Sequence, residues 1–583
     1  MSRLIRSVAV VFVLAACTAS VLDRDQEFLS GSRVTVDEPT PRQIENLVLL
    51  GQVWGFLKYH HPAVTGGRFH WDFELFRVLP DVLAAADDDE LGAAFVDWLD
   101  RIGRPEDCDP CAELVTDDLH LMPPIDWIRD EVRLGTELSQ RLVEIHANRS
   151  IVDPQFYVGL EPRARNPSFR NELAYRDVEL PDPGYQLLAL FRAWNVAQWW
   201  FPYRDVIDED WVAVLAESIP PIMGAPDADA YARELMAFIA RMDDGHAGLW
   251  SAGKKQPPVG ECIVPVAWDF VEGRPVVKSF MAAEQTDLWI GDVLVAIDGV
   301  PVEEIVDAVR RFHPGSNSKA VLKSIGYSLG RGDCGVCQVT VERDVGQVDI
   351  AVERMDPSTL DRTVVARNSR HGEALEFLSD DVAYVRLDAL EEGEVGAVID
   401  SVLGTKALVI DIRGYPRAFA VFSIGQRLVN ESTPFVRFTS GDLANPGAFH
   451  WTEPLYLEPV GPRYEGRVVV LVDHFAQSQS EYTTMAFSTA PGALVVGSTT
   501  AGADGNVSRY ALPGGHGTMV SGIGVFYPDR TPTQRVGIIP DVEIRPTIAG
   551  IRAGRDEVLE EALRQVMGSG ADEAMLREMA RRR

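Results

Sequence analysis

The chain has 583 residues, room for three or four domains of about 150 residues each. Its composition, 46% hydrophobic and 24% charged, is that of an ordinary globular protein. A net charge of −32 argues against a nucleic-acid partner, because phosphate binding needs clustered Lys and Arg, and says nothing about fold.

At the start, Arg3 and Arg6 precede the apolar run VAVVFVLAA, and Cys17 follows. A membrane span takes about 20 apolar residues, so this shorter run reads as a secretory signal over 1–17. Its ending, LAAC, resembles the bacterial lipobox, which implies cleavage before Cys17 and a lipid on the Cys17 thiol. Thr18 follows where aspartate would signal retention, so the expected location is the periplasmic side of the outer membrane, with the lipid as the only membrane contact. Beyond Cys17 lie Cys108, Cys111, Cys262, Cys334 and Cys337. The two CxxC pairs, CDPC and CGVC, are far apart, and in an exported protein local disulfides are expected ahead of zinc or redox chemistry.

Residues 18–183 and 184–257 contain two related helical units. VWGFLKYHHP (53–62) matches AWNVAQWWFP (193–202) at an offset of 140, as from Trp54 to Trp194, and the same offset pairs Trp71 with Trp211 and Pro80 with Pro220. Apolar positions at helical spacing continue the match, and each first helix is expected to stop before a proline. The copies differ at their ends: the second runs into DDGHAG, and the first has Glu106 where the second has His246. The shared scaffold does not itself demand a histidine, which suggests a local role for it.

After His246 the texture changes to short strands and turns. LWIGDVLVAIDGVPVEEIVDAV (288–309) reads as strand, turn at Asp298-Gly299, strand edge and helix, and resembles the middle of a PDZ domain spanning 258–355. Such a domain binds a peptide C-terminus as an added strand. Residues 356–565 read as α/β: KALVIDIRG, RVVVLVD and ALVVGS are apolar runs typical of buried parallel strands, and SQSEYTTMAFSTA between the last two reads as a crossover helix. Residues 566–583 read as a charged tail.

Ser478 stands where a strand gives way to that helix. Free N–H groups and a positive dipole meet there, so a serine Oγ can attack a carbonyl while the next N–H binds the oxyanion. In order and spacing, DDGHAG, the PDZ-like segment, VIDIRGYP, FAQSQSEYT, VVGSTTAG and RVGIIPDVEIRPT resemble the tail-specific, or C-terminal processing, serine peptidases, particularly their tricorn-like branch. The resemblance implies a multidomain α+β protein: helical N-terminal repeat units, a PDZ-like domain and an α/β core of the crotonase and Clp-protease type. It further implies Ser478 as nucleophile, His246 as general base, and the N–H groups of Gly414 and Gln479 as the oxyanion hole. Asp411 and Arg413 are expected to be architectural.

The pattern also departs from the family. The lysine of Ser-Lys members falls on Ala503, and no lysine follows Lys406, which excludes a lysine base within the core. The serine before the tricorn histidine is Gly245, and near GIIPD, where the tricorn acidic member falls, the chain offers Gln534 and no acid until Asp541. Asp243, Asp244 and Glu481 are the substitutes for orienting His246. His474, His516, His60 and His61 are the competing bases, and Ser480 the competing nucleophile. The expected activity is serine-type hydrolysis of polypeptides near C-terminal tails, with no cofactor or metal, since neither a P-loop nor HExxH occurs. The alternatives are a catalytically inactive binding protein on the same fold and an envelope scaffold.

Overall fold

The computed structural model describes residues 20–36, 38–178, 180–251, 260–282, 286–568 and 571–581; Cys17 and the signal segment lie outside them. Helix α1 (Pro41–His60) starts in a capping box between Thr40 and Gln43, with Pro41 in the first turn where its missing N–H costs nothing. It ends before Pro62, and α2 (Trp71–Ala84) and α3 (Asp88–Ile102) follow. The second unit repeats this order in α4 (Pro183–Trp200), α5 (Trp211–Met223) and α6 (Ala228–Ala240), each capped by an aspartate. In the first unit the Trp54 indole donates to the Trp71 carbonyl at 3.2 Å, and Trp71 returns the bond at 3.1 Å. Trp194 and Trp211 exchange the same bonds at 2.7 and 3.1 Å. Each buried indole N–H is thereby satisfied, which lets four tryptophans enter one apolar core. Lys58, Glu172, Arg192 and Asp72 are also buried there, joined by ion pairs of 2.5 to 2.9 Å.

Strand β1 (Leu249–Ser251) leaves the second unit directly after His246. Next comes an antiparallel module built from β2 (Val266–Val271), β3 (Arg274–Phe280), β4 (Val293–Ile297), β5 (Gly335–Arg343) and β6 (Gly346–Arg354), in spatial order β6-β5-β4-β3-β2. Helix α7 (Ser318–Ser328) packs along β2, the sheet's edge. Only the first CxxC pair forms a local disulfide, Cys108–Cys111. In the second, Cys334 bonds Cys262, 5.0 Å away between Cα atoms, and Cys337 is a buried free thiol. The physical reason is direction: Cys337 lies on β5 and faces the module core, while Cys334 sits in the loop before the strand, beside Cys262.

The third part is a mixed sheet of β7 (Leu375–Ser379), β8 (Val382–Arg386), β9 (Ala407–Asp411), β10 (Arg467–Val472), β11 (Leu494–Gly497) and β14 (Val542–Glu543), in that spatial order. All pairings after β7–β8 are parallel. Every residue of β9 is buried, as the apolar run requires of a strand covered on both faces. Helix α8 (Gln479–Phe487) crosses between β10 and β11. Arg413, fully buried, bridges Asp411 and Asp556. The end of the chain is not merely a charged tail: helix α10 (Glu573–Ala580), after α9 (Glu557–Met567), buries Leu576 and Ala580 against the sheet. An amphipathic pattern with only two apolar anchors is easily lost among so many charges. Finally, β12 (Val507–Leu512) and β13 (His516–Ser521) pair antiparallel, and β13 pairs with β1. That pairing brings the end of the second helical unit onto the α/β core.

Candidate active site

Ser478 begins α8 with φ 58° and ψ −122°, a left-handed backbone that a side chain makes strained by about 1–3 kcal/mol. Its surroundings hold it there. The Ser478 N–H donates to the Ala503 carbonyl at 2.8 Å and to Glu481 Oε2 at 3.2 Å. The Glu481 carboxylate, fully buried, also accepts Gly502 N–H at 2.8 Å, Ala503 N–H at 3.0 Å and the Thr500 hydroxyl. Burial pushes the Glu481 pKa up, against the pull of these donors. Glu481 is therefore not an orienting group for His246; it ties the elbow to the 500–503 loop. The strained turn projects Ser478 to the surface of a cavity of about 660 Å³. Ser480 is fully buried instead.

His246 lines the same cavity. Its Nδ1 lies 2.9 Å from Ser521 Oγ, whose own proton goes to Asp244 Oδ1 at 2.9 Å. With its hydrogen committed, Ser521 has only lone pairs for the imidazole, so Nδ1 carries the hydrogen and Nε2 the lone pair. That Nε2 is buried and has no hydrogen-bond partner among the described residues. Asp244, fully buried, also accepts the N–H groups of Ser521 at 2.7 Å and His246 at 3.1 Å, which locks the loop. Burial lowers the His246 pKa from its ordinary value; Asp244 opposes the fall and Lys323 adds to it. Of the three acids singled out in the sequence, only Asp244 reaches this histidine, through Ser521. Asp243 turns toward Arg535, at 3.6 Å. Gly245 has no room for a side chain: a Cβ there would come within 2.9 Å of the Ala503 Cβ and 3.2 Å of Ser316 Oγ.

The Gln479 N–H, in the first turn of α8, has no acceptor among the described residues, nor does the Gly414 N–H. The cavity wall beside Gly414 is formed by Tyr415, the next residue. Gly414 itself is pressed against Asp388, whose Oδ2 would lie 2.6 Å from an added Cβ. The competing bases are occupied elsewhere. His474 Nε2 bonds Asp269 at 2.8 Å and faces a second cavity of about 470 Å³. His516 bonds Ser251, and His60 and His61 are buried in the helical part. Glu106 is exposed in the first unit.

Two residues at the site escaped the sequence. Ser521 had no local signal, since it meets His246 across a separation of 275 residues. Lys323 arrives from α7, outside the core in which lysine was excluded, and lines both cavities. Burial pushes its pKa down to about 8.

Residues 381–544 match the model of peptidase family S41. No curated protein matches the chain. Among solved structures, a mutant of CPAF is 15% identical, covers 64% of this chain and 94% of its own, and has a TM-score of 0.52. Mature CPAF complexed with lactacystin is 15% identical over 64% and 95% of the two chains, with a TM-score of 0.50. These two share the fold. The photosystem II D1 C-terminal processing protease is 17% identical over 67% and 99%, with a TM-score of 0.39. Residues 381–544 thus form a peptidase family S41 domain, and the chain carries a serine peptidase core.

Proposed function

We propose that the protein is an exported, lipid-anchored peptidase that cleaves polypeptides near their C-terminal tails, with Ser478 as nucleophile and His246 as general base. The observation that carries the assignment is a pairing. A serine on a strained strand-to-helix turn and a histidine whose buried Nε2 has no partner among the described residues line one cavity. In the reaction Ser478 Oγ attacks the scissile carbonyl carbon and its proton passes to His246 Nε2. The oxyanion is received by the unengaged N–H of Gln479, with Gly414 the candidate second donor. The imidazolium then gives its proton to the leaving amine, and water repeats the sequence to release the acyl group. Asp244 and Ser521 act by fixing the tautomer.

The finer organisation belongs to the same reading. The reciprocal tryptophan bonds support two copies of one helical unit in 18–183 and 184–257. An edge strand flanked by a helix, β2 with α7, supports a PDZ-like role for 258–355. The anchor at Cys17 and the periplasmic face of the outer membrane rest on the sequence of the first 18 residues. The direct test is labelling with a fluorophosphonate. Native protein takes up one label per chain, and Ser478→Ala takes up none while losing roughly 10⁶-fold in hydrolysis. Labelling that persists in Ser478→Ala sinks the nucleophile assignment.

A further inference from the structure

The start of α7 touches three separate segments of the candidate site. Ser316 Oγ accepts the Gly245 N–H at 2.8 Å. Asn317 Nδ2 donates to the carbonyls of Thr500 and Ala501, both at 3.0 Å. Lys323 Nζ donates to Gln477 Oε1 at 2.7 Å, and Gln477 Nε2 donates to the Gly245 carbonyl at 2.9 Å. Gln477 immediately precedes Ser478, and Gly245 immediately precedes His246.

We propose that Lys323 is a positioning residue for the Ser478–His246 pair: by holding the Gln477 amide with its oxygen toward Nζ, it turns the amide nitrogen onto Gly245 and fixes the elbow against the histidine loop. The inference rests on the reading of Ser478 and His246 given above. A primary amide is nearly symmetric in shape, so its neighbours decide which end points where. An ammonium has donors only and accepts the oxygen alone. With Ser316 on its N–H and Gln477 on its carbonyl, Gly245 is held through the peptide groups on both of its sides. The lysine is costly where it stands: among the described residues no carboxylate lies within ion-pair distance of it, and burial disfavours its charge. A methionine of similar length would fill the space without that cost, which argues that the charge has a use.

The test is Lys323→Met beside Lys323→Arg, with melting curves for both. For Lys323→Met, kcat should fall about 10- to 100-fold, the scale of a misplaced reacting group, while KM moves less than about threefold. Lys323→Arg, which keeps donors, should recover most of the loss. In a Gln477→Ala background the same change should lower kcat no further. A second readout is electrostatic. The charged groups facing His246 are Asp244 and Lys323, while Glu481 and Asp473 face Lys323. Removing the lysine charge raises the His246 pKa and moves the acid limb of kcat/KM to higher pH. Unchanged kcat, a loss confined to KM, or losses that multiply with Gln477→Ala would overturn the proposal. If Ser478→Ala stays active, the underlying reading fails. If Ser478→Ala is dead and Lys323→Met is normal, only this inference fails.

Discussion

Asp244 and Ser521 should respond to substitution very unequally. In the native site Asp244 accepts three hydrogens: the Ser521 N–H at 2.7 Å, the Ser521 hydroxyl at 2.9 Å and the His246 N–H at 3.1 Å. Asp244→Asn keeps the shape and replaces one acceptor with a donor. With the amide oxygen kept by the shortest of the three bonds, from the Ser521 N–H, the new NH₂ faces both the Ser521 hydroxyl and the His246 N–H, which loses its acceptor. That hydroxyl must then accept from Asn and donate to His246 Nδ1, which moves the imidazole hydrogen to Nε2 and removes the lone pair that takes the serine proton. A wrong tautomer in a serine, histidine and carboxylate site costs about 10⁴-fold in kcat. Ser521→Ala only leaves the Nδ1 hydrogen without its acceptor, about 1–3 kcal/mol or roughly 5- to 150-fold. Asp244 Oδ1, 3.8 Å from Nδ1, is then the next acceptor in line. The order is therefore Asp244→Asn well below Ser521→Ala. Adding Ser521→Ala to Asp244→Asn should restore part of the activity, because it removes the hydroxyl that enforces the wrong tautomer. The assay is the second-order rate of fluorophosphonate labelling together with kcat/KM on a fluorogenic peptide, with melting curves to confirm folding. The relay is refuted if folded Asp244→Asn stays within tenfold of native, or if Ser521→Ala is the more damaging change.

Activity should persist below the ordinary histidine value. Burial lowers the His246 pKa, and the neutral form is the base, so the acid limb of kcat/KM lies under about pH 6.5; an inflection at or above about 7 contradicts the burial argument. His60 gives the helical part an acid weakness. Its pKa is held at about 3 by burial, against about 6.5 unfolded, so its contribution is full above about 6.5 and declines as pH falls toward 3. The loss at pH 5 is about 2 kcal/mol, and His60→Phe should flatten the dependence of the unfolding midpoint between pH 7 and 5. Glu106→Ala, in the matching position of the first unit, should leave kcat/KM within about twofold of native, whereas His246→Ala should lose several orders of magnitude. Cys17→Ser should abolish lipid labelling and change the mature mass; unchanged membrane fractionation would refute the anchor.

The strands of the core were legible because a strand covered on both faces is written as an unbroken apolar run, as Val409 and Ile410 are within β9. The strand-to-helix turn at Ser478 was legible because an apolar run, a serine and a helical segment follow one another in the sequence. His246 was singled out by context and lines the same cavity, but its bond to Ser521 was not foreseen. Strand pairing between β1 and β13 depends on a register set by the whole fold, and no local period records it. Lys323 was hidden for another reason. A lysine on a short helix reads as a solvated face, and only the packing of α7 against the core reveals that it is half-buried and bonded to Gln477. The CGVC pair misled because spacing alone does not say that one cysteine faces the module core and the other the loop.

The pairing of β1 with β13 also has a consequence in time. The histidine loop and its serine partner meet only after translation has passed residue 521, and the elbow lies between them in the sequence. A chain whose synthesis has not passed residue 521 lacks the hydroxyl that engages His246 Nδ1. Two separately expressed pieces, parted within the residues between β1 and β2, should each be inert and regain hydrolysis on mixing.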